Sequence, residues 1–266
     1  MFKKPLIIFI FFLPLLGFAQ ADGLLQELLS TSTSHDSAIA RMKLQEFEQQ
    51  LKKKEFKSDY AFLETVFAKT QRKFLRRYTQ YTELDKVFSS GKYDCLTATS
   101  LFSVVLSDLN FKYRIIETNY HIFLLVQTSH GDILLETTDA YNGFVSDPKE
   151  IEKRLGSYKQ NLITAAPASN KLLYSYHFNL YQDVAPHQLA GLLYYNQAVK
   201  AFNKKELLKS ADLLDQAKAI YESPRVAELA VLIIHTAFQS NLPESERLLE
   251  RYKIYWERRS NLMAAR

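Results

Sequence analysis

Gly91-Lys92-Tyr93-Asp94-Cys95-Leu96-Thr97-Ala98-Thr99-Ser100-Leu101-Phe102-Ser103-Val104-Val105-Leu106-Ser107-Asp108-Leu109 is the stretch that decides the fold. Ser89-Ser90-Gly91-Lys92 reads as a turn, and the spacing predicts a helix from Cys95 to about Leu109, with Ala98, Leu101, Val105 and Leu109 on one stripe. Asp94 is a natural N-cap, because its short carboxylate can accept the unpaired N–H groups of the first turn. Cys95 therefore opens the helix. At that end, the exposed N–H groups and the helix dipole favour negative charge, which favours the thiolate, the reactive form of cysteine. The same N–H groups can hold an oxyanion. A second oxyanion donor is not spelled out by the sequence, and Tyr93 is a candidate by position alone.

Working outward, Tyr113–Glu117 and His121–Thr128 read as strands joined by Thr118-Asn119-Tyr120. Ser129-His130-Gly131-Asp132 is a hairpin turn, and Ile133–Thr137 is the returning strand. His121 starts its strand after a polar connection, where a ring near the surface can take a proton from a thiol. An antiparallel return brings a carboxylate beside it, to orient the imidazole and stabilise its charged form. Two residues qualify: Glu136 directly follows the apolar run, and Asp139 lies at the strand exit.

Gly91-Lys92-Tyr93-Asp94-Cys95 before an apolar helix, His121-Ile122-Phe123-Leu124-Leu125-Val126, and Leu135-Glu136-Thr137-Thr138-Asp139 together resemble the bacterial transglutaminase-like superfamily over about residues 60–145. The resemblance implies an α+β, papain-like core, with a cysteine-bearing helix packed on an antiparallel sheet. It also implies a Cys95, His121 and Glu136 or Asp139 triad. Two departures from the family pattern stand out. Glu-Thr-Thr replaces the commoner Asp-Pro-Thr, and Phe123 stands where a tryptophan is common.

Helices are predicted on both sides of this core. One starts at Ser34-His35-Asp36-Ser37 and runs to about Lys54, and another runs from about Asp59 to Tyr78 with Leu63, Val66, Phe67 and Phe74 on its apolar face. A strand is expected at Leu172–Leu180. Residues 187–266 read as helical, and Leu189–Asn196 with Ala198, Ser210, Leu214 and Ala217 resembles a degenerate tetratricopeptide unit. One such unit is too few for a free-standing array, so this region is expected to pack on the core. The division is thus 1–21 leader, 22–186 transglutaminase-like domain, 187–266 tetratricopeptide-like region.

Met1-Phe2-Lys3-Lys4, an apolar run from Pro5 to Ala19, and Ala19-Gln20-Ala21 have the form of a signal peptide. The run, about 15 residues, is short of the roughly 20 that span a bilayer. The expectation is an exported protein, periplasmic or secreted, with no membrane span after cleavage. Loss of Lys3 and Lys4 lowers the net charge from +5 to +3. Lys52-Lys53-Lys54 and Arg76-Arg77 read as solvated faces, so no nucleic-acid partner is expected.

The chain has one cysteine, unusual for an exported protein unless that thiol is buried or useful. The scattered His35, His130, His177, His187 and His235 form no metal-binding spacing, and no phosphate loop occurs among seven glycines. No metal or cofactor is expected. His130 is expected in solvent and His235 in a helical core. Two functions fit: a cysteine enzyme acting on protein or peptide carbonyls, and an inactive transglutaminase-like interaction module, with the C-terminal helices as a possible protein-docking surface.

Overall fold

The computed structural model describes residues 16–33, 37–53, 55–119, 121–160 and 180–264. Residues 1–15 of the leader expected at 1–21, the start signal at 34–36, His177 and nearly all of the strand expected at 172–180 lie outside them, and the rest of that leader, 16–21, belongs to the first helix. The chain is α+β. Helices α1 (Leu16–Leu29), α2 (Ser37–Lys52) and α3 (Asp59–Phe74) come first. Strand β1 (Arg77–Tyr78), α4 (Asp85–Ser90), β2 (Lys92–Tyr93) and α5 (Cys95–Asp108) follow. Next come β3 (Lys112–Thr118), β4 (Ile122–Thr128), β5 (Gly131–Leu135), β6 (Phe144–Val145), α6 (Pro148–Lys159) and β7 (Tyr181–Val184). The helices α7 (Gln188–Asn203), α8 (Leu207–Ile220), α9 (Pro224–Gln239) and α10 (Ser245–Ala264) complete it.

The expected helix to Tyr78 ends at Phe74. Beyond it, the Arg76 and Arg77 amides both donate to the Gly91 carbonyl (2.9 and 3.0 Å), and the chain pairs in parallel with β2. That partner lies in another part of the chain, so periodicity could not show it. Gly91 sits at φ 71°, and a Cβ there would meet the Arg76 stem at 2.9 Å. Glycine is required twice over at this approach.

The main sheet is antiparallel in the order β6-β5-β4-β3-β7. Alternation splits its side chains by face. Ile115, Ile122, Leu124, Val126, Ile133 and Leu135 join the large core around α5 and the N-terminal helices. Ile116, Phe123, Leu125 and Leu134 pack with Ile151 and Tyr158 of α6 on the other face. Helix α5 is buried nearly all round, with Thr97, Thr99, Ser100 and Ser103 as inaccessible as its apolar stripe. It is a central helix, not an amphipathic surface one.

The C-terminal helices pack as expected onto the core. Leu189, Ala190, Leu192 and Leu193 of α7 belong to the same apolar cluster as α5, whereas the far end of α7, through Ala198, joins α8, α9 and α10 in a second cluster. Helices α7 and α8 touch closely: a Cβ at Gly191 would lie 2.6 Å from Tyr221 Cβ. Ala198, Ser210, Leu214 and Ala217 are buried at that contact. His130 is exposed as expected. His235 is also exposed, against expectation, because the stripe Val226, Leu229, Ala230, Ile233, Ile234 and Ala237 takes the other side of α9. Among the described residues, no helix is long and apolar enough to cross a membrane.

Candidate active site

The head of α5 is held by its own sequence. The Asp94 carboxylate accepts from the Thr97 N–H (2.8 Å), and the Thr97 hydroxyl accepts from the Asp94 N–H (2.8 Å). This reciprocal capping box satisfies donors that the helix leaves open and fixes where Cys95 begins. Cys95 is partly exposed, not sealed in the core. One turn further, Thr99 Oγ1 meets Thr137 Oγ1 (3.1 Å) and the Ile122 carbonyl (3.4 Å). Gln71 Nε2 donates to the Thr137 carbonyl (2.8 Å). These buried bonds bring the start of α5 to the ends of β4 and β5 that carry His121 and Glu136.

His121 lies just ahead of β4 in a tight connection. Its carbonyl accepts from the Thr118 N–H (2.8 Å), and its N–H donates to Thr118 Oγ1 (3.1 Å). The imidazole Nε2 bonds the Glu136 carboxylate through Oε2. The Cys95 side chain lies near enough to the ring to act on it. Burial alone would lower the His121 pKa. The hydrogen bonds to Cys95 and Glu136, and the negative charge of both, outweigh it and hold the value up at about 10. The ring is therefore an imidazolium at neutral pH.

Of the two candidate acids, the structure brings Glu136 to His121. Asp139 instead accepts from the backbone N–H groups of Tyr141 (3.1 Å) and Asn142 (2.9 Å), as a turn-capping residue. Glycine at 143 allows that turn to close, since a Cβ there would lie 2.2 Å from both the Glu136 and Asp139 carbonyl oxygens.

Sequence reasoning missed Tyr158. From α6, its hydroxyl donates to Glu136 Oε1 at 2.5 Å, leaving Oε2 for His121. Its ring packs on Phe123 with centroids 4.8 Å apart, and it lies 6.0 Å from the His121 ring. Burial first, then the Glu136 charge, raise its pKa, so it remains a protonated donor. Residues 146–186 read as less regular, so α6 was missed; Asp147-Pro148 is a helix-start signal that could have found it, but nothing local said which strand it would cover. Asp147 caps that helix by accepting from the Lys149 (2.8 Å) and Glu150 (3.3 Å) N–H groups.

Beside the head of α5, Tyr78 and Tyr93 meet edge-to-face, centroids 5.8 Å apart. Tyr78 is 52% exposed, and its pKa is pushed up to about 12, by burial first and then by the charges of Cys95 and Asp94. Tyr93, the positional candidate for an oxyanion donor, is half-buried against it, with its pKa also raised by burial. Among the described residues, no group of His, Cys, Asp and Glu is arranged to hold a metal ion. No protein-family model, curated protein or solved structure matches the chain.

Proposed function

We propose that this chain is an exported, transglutaminase-like cysteine enzyme with a papain-like core, acting on carboxamide or peptide carbonyls of protein or peptide substrates. One observation carries the reading: a thiol at a capped helix N-terminus, an imidazole and a buried carboxylate meet in the order Cys95, His121, Glu136. A lone cysteine serving only as packing has no need of a neighbouring histidine held by a buried glutamate.

His121, oriented by Glu136, stands as the imidazolium beside the Cys95 sulfur, whose thiolate is the attacking form. The sulfur attacks the carbonyl carbon, and the charge that develops on oxygen faces the Cys95 N–H at the head of α5. The carbon–nitrogen bond breaks as His121 gives its proton to the departing amine, leaving a thioester. Water or a second amine then attacks, His121 takes its proton, and the thiolate is released. Water makes the enzyme a peptidase or amidase, and an amine makes it a cross-linking acyltransferase. The C-terminal helices α7 to α10 fit the role of a tetratricopeptide-like flank, with the outer helices free to dock a protein partner.

The test is alkylation of Cys95 by iodoacetamide, followed by incubation with glutamine-containing peptides, with and without a fluorescent primary amine. Alkylation at neutral pH should be faster than for a free thiol and about tenfold or more slower in His121→Ala. Intact mass should show an acyl adduct that Cys95→Ala lacks. A thiol that alkylates slowly and ignores His121 would sink the enzyme and leave an inactive interaction module.

A further inference from the structure

We propose that α7, from the C-terminal half, is part of the reactive centre, with Asn196 as a positioning residue that acts on Cys95 through Asp94. The inference rests on Cys95 being the reactive thiol proposed above.

Asp94 precedes Cys95 and is only 3% exposed. One of its oxygens, Oδ1, caps α5 through the Thr97 N–H (2.8 Å) and hydroxyl (2.9 Å). The other, Oδ2, faces away from the helix and accepts from the Thr82 N–H (3.1 Å) and from Asn196 Nδ2 (3.0 Å). The neighbouring Gln197 Nε2 donates to the carbonyls of Tyr81 (3.3 Å) and Thr82 (3.4 Å). Tyr81 itself stands at φ 55°, a conformation that costs energy in a residue with a side chain. So α7 grips both the cap of the catalytic helix and the strained loop that supplies the cap's other donor.

The consequence for chemistry is electrostatic. A buried carboxylate next to a thiolate repels it unless hydrogen-bond donors draw off its charge. Burial already disfavours the Asp94 anion, and its donors oppose that. The titratable groups that face it are Cys95 on its own helix and Tyr78 on β1. Thr97, Thr82 and Asn196 supply the neutral donors. Losing Asn196 therefore leaves more of the Asp94 charge undrawn beside the sulfur, and that reduces the thiolate.

The full chain carries one cysteine, so its ultraviolet thiolate absorbance reports Cys95 alone. Asn196→Ala should lower that absorbance at neutral pH and slow alkylation by iodoacetamide about fivefold to tenfold, the size expected for one charge-assisted hydrogen bond. Ser210→Ala is the control. It removes a buried bond between α8 and α7 (Ser210 Oγ to the Ala198 carbonyl, 2.8 Å) without touching Asp94, and should leave both readouts unchanged in the folded protein. The proposal is overturned if Asn196→Ala keeps wild-type absorbance and rate, or if Ser210→Ala loses as much. The two ideas fail separately. A wild-type rate indifferent to His121→Ala removes the enzyme, whereas a rate sensitive to His121 but not to Asn196 removes only this role of α7.

Discussion

Glu136 and Glu117 are two buried carboxylates, each accepting a hydrogen bond from a tyrosine hydroxyl, on opposite faces of one sheet. Glu136 takes Tyr158 on the α6 side. Glu117, on β3, takes Tyr221 at the end of α8, on the α5 side. Their remaining partners differ. Glu136 faces His121, whose side chain is 20% exposed and which also reaches Cys95. Glu117 faces Arg225 of α9 at 3.3 Å, and Gln182 of β7 at 3.3 Å. Arg225 in turn donates to the Thr118 carbonyl. An arginine keeps its charge at every accessible pH, so the Glu117 group is a fixed clamp between sheet and C-terminal helices. A histidine can give up its proton, so a similar carboxylate–tyrosine unit here holds a charge that pH can remove. The difference lies in the cation and in access to solvent, not in the acid.

The comparison can be broken by swapping charges out one at a time. Glu117→Gln should have the largest effect. It leaves a buried guanidinium opposite a neutral amide and should cost about 3–5 kcal/mol in denaturant unfolding. Cys95 alkylation in the folded fraction should change less than about twofold, as for distant, uncoupled sites. Glu136→Gln should do the reverse. The alkylation rate at neutral pH should fall about 10- to 100-fold, one to two pKa units of lost support for the imidazolium, with a modest change in stability.

Next in size come the tyrosines. Tyr158→Phe and Tyr221→Phe each remove one hydroxyl donor from a buried carboxylate, worth about 1–3 kcal/mol. The first should show mainly as a slower Cys95, and the second only as a lower unfolding midpoint. Equal effects of both on the thiol would erase the distinction drawn between the two units.

The pH dependence of stability sharpens the same comparison. The folded-state pKa of His121, about 10, stands above its ordinary value of 6.5. Its protonation therefore stabilises the fold fully below pH 6.5, and that contribution is lost as pH rises toward 10. Thermal midpoints measured across this window should fall more steeply for wild type than for His121→Gln.

Short-range information placed much of this molecule. The cap at Asp94, the helix opened by Cys95, the strands after it and the turn at Ser129-His130 are all features of a few adjacent residues, set by capping geometry and by a period of two or 3.6. So the sequence determined that a thiol would head a central helix, that His121 would stand at the start of a strand, and that a carboxylate would follow on the return.

Only the tertiary structure decided which acid meets the ring, because Glu136 and Asp139 both fit the pattern until the turn closing at Gly143 takes Asp139 for itself. It alone decided the partners of the acids: Tyr158 lies 22 residues from Glu136, Asn196 lies 102 from Asp94, and Tyr221 lies 104 from Glu117. Contacts of that kind depend on how strands register and which face each helix covers. Those are properties of the packed whole, and no local period carries them.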